Sequence, residues 1–143
     1  KKVYCVSMRT AVFEPTSSRR TKYCRSLEDI LESKAHATNT ELLDELRMLY
    51  PNVSATTVHR ATARMAERGT IATAPAALDG SMQYDSNVTP HDHFQCTSCG
   101  LLRDTDIKDK IIPILEESIE GCQINGQLTI NGICKKCMKR ENR

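Results

Sequence analysis

The sequence contains no tryptophan, and only four tyrosines and two phenylalanines occur among its 143 residues. A large aromatic core is therefore excluded, and any hydrophobic core must be aliphatic and modest. The length supports one compact domain or two small ones. A small unit with so little apolar material would need a metal ion to stabilise it.

Long apolar runs are also missing. No stretch approaches the roughly 18 apolar residues that a membrane span requires. Residues 3–12 are interrupted by Ser, Arg and Thr, which does not fit a secretion signal. We therefore expect a cytoplasmic protein with no membrane partner. In that reducing setting, paired cysteines favour metal binding over disulfides.

A large excess of charge of either sign is absent, because the net charge is +2. The charge is nevertheless uneven along the chain. Residues 1–38 contain eight Lys and Arg against four Asp and Glu, whereas residues 87–143 contain eight of each kind. A basic N-terminal part permits contact with nucleic acid. An ordinary solvated surface would explain the same charge, so charge alone does not decide between them.

Four of the seven cysteines form two Cys-x-x-Cys pairs. Two intervening residues let both sulfurs of a pair reach one ion, and four thiolates suit tetrahedral Zn²⁺. We predict a structural zinc site whose binding energy contributes to folding. Core cysteines or disulfides are the alternative. The predicted zinc ligands are Cys96, Cys99, Cys134 and Cys137.

Three helices are predicted in the first half of the chain, over residues 22–33, 38–49 and 54–69. Thr, Asn and Thr at the start of the second helix offer caps, and Pro51 ends it. Ser54 caps the third helix, and a glycine stops it. The short turn between the second and third helices is typical of a helix-turn-helix.

A hairpin follows the helices, with strands at residues 70–74 and 82–86 and a turn containing Asp79-Gly80. This order predicts a winged-helix DNA-binding domain over residues 1–86, with an N-terminal arm at residues 1–18 and the third helix in the major groove. A helical protein-interaction domain is the alternative. The predicted DNA contacts are Thr56, Thr57, His59, Arg60, Arg64, Arg19 and Arg20.

Residues 87–90 are predicted to form a hinge, and residues 91–143 a second, dimerisation and metal-binding domain. Its predicted elements are strands at 94–96 and 101–103, a helix at 107–119 and a final strand or hairpin within 123–133. Pro113 must lie in the first turn of that helix or kink it. The apolar helix face could bury against a second copy of the chain; its residues are Ile111, Ile112, Leu115 and Ile119. The predicted fold class is α+β, a winged helix-turn-helix followed by a small zinc-stapled α/β domain.

Three segments resemble the ferric uptake regulator family. They are Tyr-Pro-Asn-Val-Ser-Ala-Thr-Thr-Val at residues 50–58, His-Asp-His-Phe-Gln-Cys-Thr-Ser-Cys-Gly at 91–100, and Gly-Ile-Cys-Lys-Lys-Cys at 132–137. The resemblance covers residues 19–137 in the family's order and spacing. It implies a homodimeric, metal-dependent repressor that binds a palindromic DNA operator. His59 stands where a tyrosine commonly touches DNA, so the operator sequence is not implied.

The resemblance also implies a regulatory metal site between the two domains. By position, its ligands are His36, Asp85, His91, His93 and Asp104. Three imidazoles and two carboxylates suit Fe²⁺ or Mn²⁺, and Zn²⁺ is possible. His36 and Asp85 belong to the predicted DNA-binding half and the other three to the dimerisation half. Metal binding would therefore clamp the two recognition helices at a spacing that fits DNA.

Aspartate at both carboxylate positions resembles the peroxide-sensing branch of the family. In that branch hydrogen peroxide oxidises a histidine ligand of bound Fe²⁺, here His36 or His91, and repression ends. An iron- or zinc-responsive repressor of metal-uptake genes is the alternative. Some family members have an additional metal site. Asp92 matches one of its positions, but Pro90 stands where a histidine is needed, so we expect that site to be absent.

Two functions of other classes fit parts of the sequence. His91, His93 and a carboxylate could form a catalytic metal site. Five candidate ligands leave little room for substrate, however, and no nucleophile or separate acid–base pair is visible, so we do not predict an enzyme. A zinc-stapled protein-interaction module is the other possibility, and it would have no affinity for DNA.

Overall fold

The computed structural model of the protein describes residues 22–141. Arg19, Arg20 and the predicted arm lie outside the described residues. Within residues 22–141 the chain forms five helices and six strands. In chain order they are α1 Lys22–Lys34, β1 His36–Thr38, α2 Asn39–Leu49, α3 Ala55–Glu67, β2 Ala72–Ala74, β3 Gln83–Asp85, β4 Asp92–Cys96, β5 Leu102–Thr105, α4 Lys108–Ser118, β6 Thr129–Gly132 and α5 Lys135–Glu141.

The first three helices pack around an aliphatic core. Each helix buries one stripe of apolar side chains, and Tyr84 of β3 and Ile71 are buried with them. The buried helical residues are Leu27, Leu31, Leu42, Leu43, Leu46, Val58, Ala61 and Met65. The sequence predicted this aliphatic core and all three helices, as the predicted winged helix-turn-helix requires.

Side chains define the starts of α2 and α3. Thr38 caps α2 in a capping box, in which its hydroxyl accepts from the Glu41 backbone N–H and its own N–H donates to the Glu41 carboxylate. Ser54 caps α3 by accepting from the Thr57 backbone N–H at 3.2 Å. Buried Val53 lies just before that cap, so the chain enters α3 at a fixed angle.

The first sheet has the order β1-β3-β2, with all pairs antiparallel. β2 and β3 form the predicted hairpin, with Gly80 at φ +83° in its turn. β1 was not predicted. It spans three residues between α1 and α2, too few to show a period of two, and pairing with β3 alone defines it.

The second sheet has the order β5-β4-β6. β4 and β5 are antiparallel, whereas β6 is parallel to β4 and is reached through α4. The predicted final strand is therefore a crossover strand and not half of a hairpin. The short helix α5, which follows β6 directly, was also not predicted.

α4 differs from its prediction in one respect. Pro113 is its sixth residue, so the first-turn alternative is wrong. Because proline has no N–H, the Asp109 carbonyl lacks its usual donor four residues on. No residue of α4 is buried, and Leu115 and Ile119 of the predicted apolar face are exposed. Burial of this face against a second copy stays a prediction.

The two halves of the chain contact each other outside the hinge. The Gln95 side chain on β4 donates to the Ala76 carbonyl in the hairpin at 2.7 Å. A Cβ added at Gly100 would lie 3.6 Å from the Leu78 side chain, so the hairpin tip packs on the turn after β4. None of the five helices in the described part of the chain is long and apolar enough to cross a membrane.

Candidate metal centres

The five predicted regulatory ligands lie together between the two sheets. In the first sheet His36 is directly opposite Asp85, and in the second His93 is directly opposite Asp104. Directly opposite residues of antiparallel strands share a face, so each sheet pairs one imidazole with one carboxylate. His91 lies two residues before His93, on the same side of the chain. Each side chain offers one ligand atom, and these atoms all lie within 4.8 Å of one another.

Both carboxylates face the same three imidazoles. Asp85 Oδ2 lies 3.2 Å from Nε2 of His36, 2.9 Å from that of His91 and 3.1 Å from that of His93. Asp104 Oδ1 lies 2.8, 3.4 and 3.8 Å from the same three nitrogens. Three nitrogen and two oxygen donors converging on one point suit a divalent ion such as Fe²⁺, Mn²⁺ or Zn²⁺.

The cluster is closed at Asp85 and open at Asp104. The side chains of Asp85 and His93 are each 1% exposed, whereas that of Asp104 is 38% exposed. His36 and His91 are intermediate, at 8% and 11%. Asp104 is therefore the most accessible of the five candidate ligands, and His36 and His91 are more accessible than His93.

His36 provides a test of whether the cluster fits a cation. Its Nε2 is buried and lies 3.2 Å from Asp85 Oδ2 and 2.8 Å from Asp104 Oδ1, yet it has no hydrogen-bond partner among the described residues. A buried polar atom without a partner destabilises a fold. A cation among the five ligand atoms would satisfy this nitrogen and both carboxylates, so the residues present fit a metal ion.

The Thr89 carbonyl orients His91. The carbonyl oxygen lies 2.6 Å from His91 Nδ1, so that nitrogen carries a proton and donates it. Nε2 of the neutral ring is then the nitrogen with a lone pair, and it points into the cluster. Burial lowers the pKa of His91, but the Thr89 carbonyl and the carboxylates of Asp104 and Asp85 outweigh it and raise that pKa overall.

The four predicted zinc ligands form a second cluster. The parallel pairing of β6 with β4 sets Gly132 beside Cys96, so the chain after β6 delivers Cys134 and Cys137 to the first pair. The sulfurs of Cys96, Cys99, Cys134 and Cys137 all lie within 4.8 Å of one another. Of these four cysteines, only Cys99 is exposed. Four sulfurs at this separation suit a tetrahedral ion.

Hydrogen bonds shift the pKa values of these thiols in opposite directions. The Cys134 backbone N–H donates to Cys96 Sγ at 3.3 Å and is the largest cause that lowers the pKa of Cys96 to about 6. Ser98 lowers the pKa of Cys137, but the neighbouring Cys99 and Cys134 thiols outweigh it and raise that pKa to about 11. Adjacent thiolates repel one another, and a bound cation would let all four ionise.

The outer face of α3 carries the other predicted functional residues. Thr56, His59, Arg60 and Arg64 are exposed. Thr57 is half-buried, and its hydroxyl lies 2.9 Å from that of Ser54, so it also belongs to the helix cap. The face therefore presents two arginines and an imidazole to solvent, which suits phosphate and base contacts.

His59 has a support that the sequence did not predict. Asn39 Nδ2 lies 3.1 Å from His59 Nδ1, and the buried Thr62 hydroxyl donates to Asn39 Oδ1 at 2.9 Å. Asn39 and Thr62 thus hold the ring from two helices. Their inward positions follow from helical periodicity, but their contact across twenty-three positions does not.

Asp92 is buried, and its carboxylate accepts a hydrogen bond from the Leu128 backbone N–H at 2.9 Å. That bond joins β4 to the chain before β6. Within residues 22–141, only the two clusters above bring three or more His, Cys, Asp or Glu ligand atoms together. The absence of an additional metal site remains a prediction.

The structure combines three features: a winged helix-turn-helix, a second sheet with a four-cysteine cluster, and a five-residue cluster of candidate ligands between the two sheets. Together these features define a class of protein. It is the class of metal-responsive DNA-binding regulators, and the chain belongs to the ferric uptake regulator family, whose model matches residues 16–127. The resemblance predicted from the sequence is thereby confirmed.

The chain is also similar to individual members of the family. It is 29% identical over 123 residues to the peroxide operon regulator of Bacillus subtilis (strain 168), with 81% of each chain covered. The solved Campylobacter jejuni peroxide stress regulator has a TM-score of 0.61 and 27% identity, over 80% of this chain and 88% of that one. The Helicobacter pylori ferric uptake regulator Fur has a TM-score of 0.67 and 18% identity, over 84% and 82%, and supports the fold alone.

Family membership decides the class of function. Proteins of this family are metal-responsive transcriptional regulators that bind DNA as dimers, and they are not enzymes. The α+β fold class is likewise confirmed. The protein is therefore a metal-responsive transcriptional regulator.

Proposed function

We propose that the protein is a homodimeric repressor whose DNA binding depends on a regulatory metal and ends when peroxide oxidises a histidine ligand. The five-residue cluster carries this proposal, because it takes ligands from both halves of the chain. His36 and Asp85 come from the hairpin sheet of the winged helix, whereas His91, His93 and Asp104 come from the second sheet.

The shared cluster explains how metal would control DNA binding. Asp85 Oδ2 lies within hydrogen-bonding reach of His91 and His93 in the other half. A bound cation would hold these groups together and fix the first sheet, and hence α3, relative to the dimerisation half. The exposed face of α3, with Arg60 and Arg64, would then sit at a set distance from the same face of the second copy.

The two clusters suit different metals. Cys96, Cys99, Cys134 and Cys137 offer only sulfur, which suits structural Zn²⁺. The nitrogen and oxygen donors of the other cluster suit Fe²⁺ or Mn²⁺ and would also accept Zn²⁺. If Fe²⁺ were bound there, it would activate hydrogen peroxide beside the histidines by giving an electron that the oxidised ring returns, so that histidine is the net reductant.

The oxidation changes the ligand itself. One peroxide oxygen becomes bonded to the ring carbon between the two nitrogens, the displaced hydrogen moves to a ring nitrogen, and the other oxygen leaves as water. Both ring nitrogens then carry hydrogen and neither has a free lone pair, so the residue no longer binds metal. His36 and His91 are the expected targets because they are more exposed than His93. Similarity to the peroxide operon regulator of Bacillus subtilis supports the same chemistry.

The test compares Fe²⁺-loaded and Mn²⁺-loaded protein before and after a small pulse of hydrogen peroxide, without air. DNA binding is measured on duplexes selected from a random pool by the Mn²⁺ form, since no operator is implied. We expect only the Fe²⁺ form to release DNA, with one oxygen atom gained by the peptide containing His36 or His91. Metal-dependent binding that ignores peroxide would exclude peroxide sensing and leave an iron- or zinc-responsive repressor.

A further inference from the structure

Residues of the predicted hinge hydrogen-bond to the candidate metal ligands through atoms that do not face the cluster. Asp85 uses Oδ2 in the cluster, and its Oδ1 accepts the Asn87 backbone N–H at 2.7 Å. Asp104 uses Oδ1 in the cluster, and its Oδ2 accepts from Asn87 Nδ2 at 3.3 Å. Asn87 Oδ1 accepts the Thr89 N–H at 3.1 Å, and the Thr89 carbonyl accepts from His91. Three of the five candidate ligands are thus oriented by two hinge residues.

Asn87 is not a candidate ligand, yet it donates hydrogen bonds to both carboxylates of the cluster. The two carboxylates belong to different halves of the chain, Asp85 on β3 and Asp104 on β5. A carboxylate bonded through one oxygen presents the other oxygen in a fixed direction, which is how outer partners tune a metal ligand. Asn87 therefore ties the two halves together at the back of the cluster.

The bond to Asp104 is the one that a substitution of Asn87 can remove, because the bond to Asp85 uses the backbone N–H. Asp85 is buried and is held by its surroundings as well as by Asn87. The side chain of Asp104 is 38% exposed, and water can compete for its oxygens. The turn between Asn87 and Thr89 uses only Asn87 Oδ1, which accepts the Thr89 N–H. The bond from Asn87 Nδ2 to Asp104 is not needed for that turn.

We propose that Asn87 is a positioning residue for the regulatory metal: it aims Asp104 and Asp85 into the cluster and makes metal affinity depend on the hinge conformation. This inference rests on the proposed function, in which the five residues bind a metal ion. It adds a role for the hinge itself, which becomes the outer support of the site.

The test measures Mn²⁺ affinity by electron paramagnetic resonance in full-length dimer that keeps its zinc and has been freed of other metal with a mild chelator. Asn87→Ala removes both side-chain bonds, and we expect affinity to fall roughly tenfold or more, as for other outer partners of metal ligands. Val88→Ala is the matched control, because Val88 lies beside Asn87 and its side chain is exposed to solvent. It should bind Mn²⁺ like the unmodified protein.

Two readouts separate positioning from a general loss of structure. With Co²⁺ in place of Mn²⁺, the visible absorption bands should change in Asn87→Ala and stay the same in Val88→Ala. Zinc content and the thermal midpoint of the metal-free protein should be equal in all three proteins. Equal affinity and equal Co²⁺ spectra in Asn87→Ala would overturn the inference while leaving the proposed function intact.

A double-mutant cycle tests the route through Asp104. If Asn87 acts on that carboxylate, Asn87→Ala should weaken binding much less in an Asp104→Ala background than in the unmodified protein. The same fold-loss in both backgrounds would overturn the inference. Failure of the unmodified protein to bind any Mn²⁺ is a distinguishable result, since it overturns the proposed function and this inference together.

Discussion

Asp85 is the carboxylate that lies close to all three imidazoles of the cluster. Its side chain is buried, and one oxygen faces three imidazole nitrogens within 3.2 Å. A neutral amide there would keep the shape but remove the charge that attracts a cation. Among the five candidate ligands it is also the one that contacts every histidine closely.

We therefore expect Asp85→Asn to lower Mn²⁺ affinity by at least tenfold, with zinc content unchanged. Asp79→Asn is a control with the same chemistry, because Asp79 lies exposed in the hairpin turn and accepts the Ser81 N–H far from the cluster. Metal titration of both variants checks this expectation. A normal affinity in Asp85→Asn would mean that the ion binds elsewhere.

The family resemblance predicted more of the cluster than any pattern along the chain did. The five candidate ligands follow from a resemblance to a family, and in sequence they are separated by as many as 68 positions, from His36 to Asp104. No periodicity links such distant residues. The role of Asn87 was not predicted, because a polar residue in a turn is ordinary in sequence and only the fold shows that its amide reaches Asp104.

At the scale of elements, α3 combines a strong local signal with an exposed functional face. Ser54, Val53 and Val58 fix its start, and its four buried positions are the ones that periodicity predicts. The opposite face is left free for Arg60 and Arg64. This separation of a packed face from a charged face lets a DNA-contact residue be changed with little effect on stability.

Arg60→Ala should accordingly weaken DNA binding and lower the dependence of affinity on salt by about one phosphate contact. The dimer and the thermal midpoint should not change, since Arg60 is exposed. Arg140→Ala in α5 removes the same charge from the other half and serves as the control. Affinities measured across a salt series would refute the placement of α3 on DNA if both variants behaved alike.

The cap of α3 provides a prediction about stability. Ser54→Ala removes the acceptor of the Thr57 N–H and should lower the free energy of unfolding by about 1 kcal/mol. Thr56→Ala is the comparison, because Thr56 is exposed and its hydroxyl caps nothing. Urea unfolding measures both. Equal stability of the two variants would show that solvent replaces the cap bond without cost.

Short elements explain what sequence periodicity missed. β1 has three residues and α5 has seven, too few for a pattern to emerge. β1 exists because β3 supplies its partners, and the parallel place of β6 depends on β4 across the α4 crossover. Such pairings are set by distant parts of the chain, whereas α2 and α3 carry their own N-caps and all three helices carry their own apolar stripes.

At the scale of the whole molecule, the two halves are stabilised differently. The first half has a core of twelve buried apolar residues, from Leu27 to Tyr84. The core cluster of the second half consists of Cys96, Cys134 and Cys137, with Phe94 packed against it. A cluster made of thiols has little apolar area of its own, so we expect the second half to depend on a bound zinc ion for its fold.

The two metals should therefore be removable with different consequences. A mild chelator that takes only the regulatory metal should leave the dimer, the zinc and the helical circular dichroism unchanged. Backbone amides of Asn87 and Thr89, both hydrogen-bonded in the closed hinge, should exchange faster with solvent.

Removal of zinc, by a thiol reagent or in Cys96→Ser, should instead dissociate the dimer and unfold residues 91–141, while the three-helix half keeps its structure. Hydrogen exchange read by mass spectrometry follows both halves at once. Unfolding of both halves on loss of zinc would contradict this division, because it would mean that the aliphatic core around α1, α2 and α3 cannot hold the first half alone.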